Sequence, residues 1–195
     1  MLRRRGIPGI SAFAVVLALS SFVLAEIIPL PARFTAFAFD MMTGASAPID
    51  VTVTRWSDPA EMEQLSSVFN ESGTDALLRQ LQRMPRAGSL RVGASFGIDV
   101  HFAQLAVEAG GSQRVLLITD RQMGYTELAT LEPSMAYPLT VIELRLDAQG
   151  DGTGTMWPVA RINYWDLATR TVVIDNYTRE PVDLMAVRWH RSPTD

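Results

Sequence analysis

The chain has 195 residues, with 17 basic side chains, 21 acidic ones, two histidines and no cysteine. The missing cysteine excludes disulfides, thiol catalysis, thiolate metal sites and lipid anchoring through an N-terminal Cys. The acidic balance argues against binding a phosphate backbone, which needs clustered positive charge.

Met1-Leu2-Arg3-Arg4-Arg5 is a positive start, and Ile10 to Ala25 carries no charge. A membrane-spanning helix needs ~20 apolar residues, so this run is short for a span and suits the core of a signal peptide. Val23 and Ala25 sit where a signal peptidase reads small residues, which predicts cleavage before Glu26, the alternative being a retained anchor. The three arginines leave with the leader, so the remainder carries 14 basic against 21 acidic residues. That remainder is long enough to bury ~70% of its unfolded surface in one core.

Residues 26–33, with two prolines, predict an extended lead-in. Phe34 to Met42 alternates, with Phe37 and Phe39 on one side, and Ile49, Val51 and Val53 mark a second strand beyond a turn at 43–48. The period then becomes helical. Asp58, Pro59 and Glu61 fit N-cap, N1 and N3, and Met62, Leu65, Val68 and Phe69 make one apolar stripe. Gly73 predicts a stop, and Leu77, Leu78, Leu81 and Met84 a second helix ending at Pro85, together an αα-hairpin. From Gly88 onward the pattern is strands and Gly- or Asp-rich turns. Strands fall at 98–107, 114–119, 139–146, 153–164 with Pro158 as a bulge or edge, 171–174 and 184–189, with a long connection at 120–137. The expected fold is α+β, mainly antiparallel β: eight or nine strands in a sandwich or barrel, with the αα-hairpin inserted after the second strand. One β-rich domain spans 34–190, and 191–195 is a tail.

Gly93-Ala94-Ser95-Phe96-Gly97 matches the nucleophile elbow, with Asp183 and His190 downstream in hydrolase order. An elbow needs a helix after the serine, and a strand follows here. Asp147 to Gly152 begins like a calcium loop, but position twelve is Pro158 where a bidentate glutamate belongs. A hairpin turn is the simpler reading. No catalytic residue, metal site or cofactor is therefore assigned.

Better candidates for binding are polar side chains on strands and on the long connection. Asp99 and His101 are two apart on a strand, which predicts a shared face and a carboxylate-held imidazole. Arg121 and Tyr125 open the long connection, suited to gripping an anion and stacking on a ligand, unless Asp120 and Arg121 simply clamp the loop. Glu143 and Arg145 share the polar side of an apolar strand, a solvated face or, inside a barrel, part of the lumen. Trp56, Trp157, Trp165 and Trp189 are expected to pack.

Val51-Thr52-Val53-Thr54-Arg55-Trp56-Ser57, Asp75-Ala76-Leu77-Leu78 with Leu81 and Met84-Pro85, and Thr119-Asp120-Arg121 form part of a larger pattern. With Tyr137 to Asp147, Asn176-Tyr177 and Pro181-Val182, they resemble a group of uncharacterised exported proteins of soil bacteria. The resemblance covers nearly all the chain after the leader. It implies a single exported domain and brings no assigned activity, ligand or site residue.

The expectation is thus an exported, periplasmic or secreted, non-enzymatic domain. It is read as a monomer without a membrane span after cleavage, binding a small molecule or a cell-envelope component and no nucleic acid. The alternatives are a small hydrolase using Asp99 and His101 or Ser95, and a structural or assembly protein of the envelope.

Overall fold

Alternating apolar side chains place the chain in nine strands, beside one α-helix and a short 3-10 turn at Ala109–Gly111, among the residues described by this computed structural model: 28–41, 44–123, 136–167, 171–177 and 180–191. The strands are β1 (Ala32–Phe39), β2 (Ser46–Val53), β3 (Gly88–Val92), β4 (Ile98–Val107), β5 (Gln113–Thr119), β6 (Leu139–Leu146), β7 (Asp151–Asp166), β8 (Thr171–Asn176) and β9 (Val182–His190). The helix, α1, is Pro59–Leu81. The leader read at 1–25 lies outside the described residues, as do Tyr125 and the tail beyond Arg191.

Every strand pair is antiparallel, and the order β6-β5-β4-β3-β2-β1-β9-β7 closes through β6–β7 into an eight-stranded barrel. Of the two architectures expected, the barrel is therefore the one formed. An eight-stranded barrel is just wide enough for side chains to fill its interior. Phe34, Ile49, Val51, Leu90, Leu117 and Ile142 fill it, each at most 1% exposed. The lead-in adds Ile28 to the same core, and the Trp56 indole N–H donates to the Ile28 carbonyl at 3.3 Å.

β7, at 16 residues, is the longest strand because it pairs with three others, β6, β9 and β8. Asp151 to Met156 pairs with β9, whereas Ala160 to Asp166 pairs with β8, the ninth strand. Between them the register against β6 slips, from Val141 opposite Trp157 to Leu139 opposite Ala160, so Pro158 and Val159 form a bulge. Beyond the bulge the β7–β8 ribbon leaves the barrel and folds over its outer wall. Trp165 of the ribbon packs edge-on against Phe102 of β4, ring centroids 6.3 Å apart.

The helix covers the same wall. Asp58 caps it, accepting the Glu61 N–H at 2.8 Å while the Glu61 carboxylate accepts the Asp58 N–H at 3.0 Å. Arg55 adds an ion pair to Glu61 at 2.6 Å. Leu65, Leu77 and Leu81 are fully buried with Phe102, Ile118 and Val141, a second core outside the barrel. The expected αα-hairpin is not formed. Gly73, at φ 73° and ψ −169°, is the single non-helical residue, and an antiparallel reversal needs a loop of ~2–5 residues. The break is a kink, so Leu65 before it and Leu77 after it face one wall.

Candidate ligand groove

The helix and the ribbon cover the outer wall together but leave a gap between the first turn of α1 and the turn end of the ribbon. The result is a groove of about 360 Å³. Its floor is the outward face of three strands: Gln104 and Ala106 of β4, Arg114 and Leu116 of β5, and Glu143 of β6. Pro59 and Met62 form one side, and Trp165, Leu167, Val172 and Ile174 the other. The body is apolar, and the charge gathers at one place.

At that place Glu143 has a side chain only 17% exposed and accepts from Arg145 Nε at 3.0 Å. Arg114 stands 3.9 Å from the same carboxylate oxygen and pairs through its Nε with Glu108 at 3.2 Å. The bond to Glu143 pushes the Arg145 guanidinium further up, holding it charged. Such a groove, apolar with a polar end, has the chemistry of a small-molecule site.

Of the described residues expected to bind, only Glu143 lines this groove, and Arg145 grips it from outside. Both point outward from the barrel; the lumen position considered for them is occupied by Ile142 and Leu144 of the same strand. Asp99 and His101 do not form a pair. A bulge after Val100 breaks the alternation, and Asp99 turns to Arg86 at 3.1 Å. His101 Nδ1 donates to the Met84 carbonyl at 3.1 Å, which fixes a proton there, and Nε2 faces Asp120 at 3.6 Å. Asp120 thus faces His101, and among the described residues it makes no ion pair with Arg121. Arg121 is exposed, and its carbonyl is held by the Thr119 and Thr140 hydroxyls.

The two motifs resolve as turns. Ser95 accepts the Val92 N–H at 3.2 Å, while His190 bonds Thr35 at 2.7 Å. The ladder puts His190 level with Ser89, three strands away at ~4.8 Å per strand, and Ser95 lies beyond the far end of β3. The Asp147 carboxylate accepts the N–H groups of Gln149 and Asp151, closing the β6–β7 hairpin.

Asp99, at the other end of β4 from the groove floor, lines an open polar cleft with residues of β1, β2 and β3. There Arg33 and Arg91 reach Asp50 at 2.7 and 3.4 Å. Its charges are paired and facing water. The Arg33 hydrogen bond, first among the causes, holds the Asp50 carboxyl below the usual carboxylate range.

The pattern did not single out Arg114, Gln104, Met62 or Trp165 for the groove. A signal was present. Leu116, Ile118, Leu139 and Val141 are apolar on the outward face of their strands, which demands a second covering layer. No family model, curated protein or solved structure matches this chain.

Proposed function

We propose that this is an exported, non-enzymatic binding domain whose ligand is a small amphipathic molecule held in the outer groove. The observation that carries the reading is the groove itself: an apolar trough between α1 and the β7–β8 ribbon, charged at one end by Arg114 and Glu143. The filled lumen supports it by directing attention to the outer wall. Export rests on the arginine-led, uncharged N-terminal run and on the resemblance to exported proteins.

The test is native mass spectrometry of the protein purified from a periplasmic fraction, alongside an Ala106→Phe variant that fills the groove floor. A mass adduct that leaves on denaturation and is missing from Ala106→Phe is the expected result. An adduct retained by that variant places the ligand elsewhere. No adduct, together with no calorimetric response to added amphiphiles, removes the reading.

A further inference from the structure

We infer that the groove selects an amphipathic carboxylate, with Arg114 taking the acid head and the Met62–Leu116–Trp165 trough taking the tail; this rests on the binding reading above.

Among the described lining residues Arg114 and Glu143 alone are charged, so the head group is decided between them. Glu143 is already served. Arg145 reaches it at 3.0 Å from outside the groove, and Arg114 adds a second positive charge 3.9 Å away. A ligand ammonium seeking Glu143 would meet two guanidinium groups around one carboxylate.

Arg114 also stands between two opposite charges, Glu108 at 3.2 Å and Glu143 at 3.9 Å. Neither grips it as Arg145 grips Glu143, by a hydrogen bond of 3.0 Å. The Arg114 Nη1 is 3.9 Å from Glu143, beyond direct hydrogen-bond length. Its closer acidic partner, Glu108, has a side chain 51% exposed at the end of β4. Exposed pairs of this kind contribute little, so a ligand carboxylate exchanges with Glu108 at small cost. The guanidinium fork matches a carboxylate in two parallel hydrogen bonds, a geometry an alcohol or amine head does not use. Gln104 offers an amide beside it on the groove floor.

The experiment is calorimetric titration of the whole protein with decanoate, decanol and decylamine, all below their micelle concentrations. Wild type, Arg114→Gln, Glu108→Gln and Ala106→Phe are compared. Decanoate is expected to bind about tenfold or more tighter than decanol, and decylamine weakest. Arg114→Gln should bring decanoate down to the decanol value while leaving decanol unchanged. Glu108→Gln, an exposed change that keeps Arg114 in place, should tighten decanoate severalfold.

If decanol matches decanoate in every variant and Ala106→Phe abolishes both, the groove stands as a binding site and the carboxylate assignment falls. Tighter binding of decylamine overturns it directly. Absence of binding by all three probes overturns the carboxylate assignment and the groove reading together.

Discussion

The Trp165 ring stands edge-on to Phe102, centroids 6.3 Å apart and planes at 76°, and this contact joins the β7–β8 ribbon to the barrel wall. Phe102 is fully buried and Trp165 is 3% exposed. The pair makes one side of the groove dependent on a residue of its supporting wall. Each truncation to alanine should cost ~3–5 kcal/mol in urea unfolding. The double variant should fall short of the sum by ~0.5–1.5 kcal/mol, the coupling of an edge-to-face pair. Strictly additive losses would show that the ribbon is held by other contacts.

Much of this architecture is legible in the chain, and the parts that are not share a cause. The Asp58–Glu61 capping box and the Asp147–Gly152 turn are local, and each is formed where its residues predict it. Gly73 is also correctly marked as a helix break. Whether the chain reverses there depends on the wall that receives Leu65 and Leu77, which no local signal carries. Barrel closure rests on pairs such as Thr35 with Arg188, far apart in sequence. His101 fails for a related reason. Strict alternation assigns it to the face of Asp99, but a bulge after Val100, flagged by neither Gly nor Pro, sends it to Asp120. The groove is further from view, because its sides come from three separate stretches of chain.

The kink at Gly73 gives a prediction that opposes helix propensity. Alanine is the better helix former by ~1 kcal/mol, and a Cβ at Gly73 would meet no atom within 4 Å. The backbone there, at φ 73° and ψ −169°, belongs almost only to glycine. Gly73→Ala should therefore destabilise the protein by ~1–3 kcal/mol in chemical denaturation. A gain in stability would mean that α1 straightens without losing its hold on the barrel.

At the β7 bulge the Pro158 carbonyl accepts the Met123 N–H at 2.9 Å and has the Thr140 hydroxyl as a second donor. Thr140 is fully buried, and its hydroxyl lies 3.0 Å from the Pro158 carbonyl and 3.2 Å from that of Arg121. Its own N–H is satisfied by the Thr119 hydroxyl at 3.0 Å. Thr140→Val keeps the shape and removes the donor, so ~1–3 kcal/mol should be lost. Thr119→Val should cost a similar amount, and the two together less than the sum, since both end on the Arg121 carbonyl. A neutral Thr140→Val would show that the Met123 N–H and the Thr119 hydroxyl satisfy the two carbonyls by themselves.

Asp50 links Arg33 and Arg91 across three strands, and its folded pKa lies below the ordinary 3.8, first through the Arg33 hydrogen bond. A carboxylate favoured in this way stabilises the fold fully above its unfolded pKa. That contribution fades as pH falls through the lower folded value. Both arginines are more than half exposed, so screening limits the effect at neutral pH to ~0–1 kcal/mol. Wild type should therefore melt slightly above Asp50→Asn at pH 7, and the gap should narrow only once the pH drops below 3.8. Melting curves across the acid range, repeated in high salt, check both halves of the claim. Salt should shrink the neutral-pH gap, because exposed charges are screened. A gap that persists unchanged in acid would assign Asp50 a packing role in place of an electrostatic one.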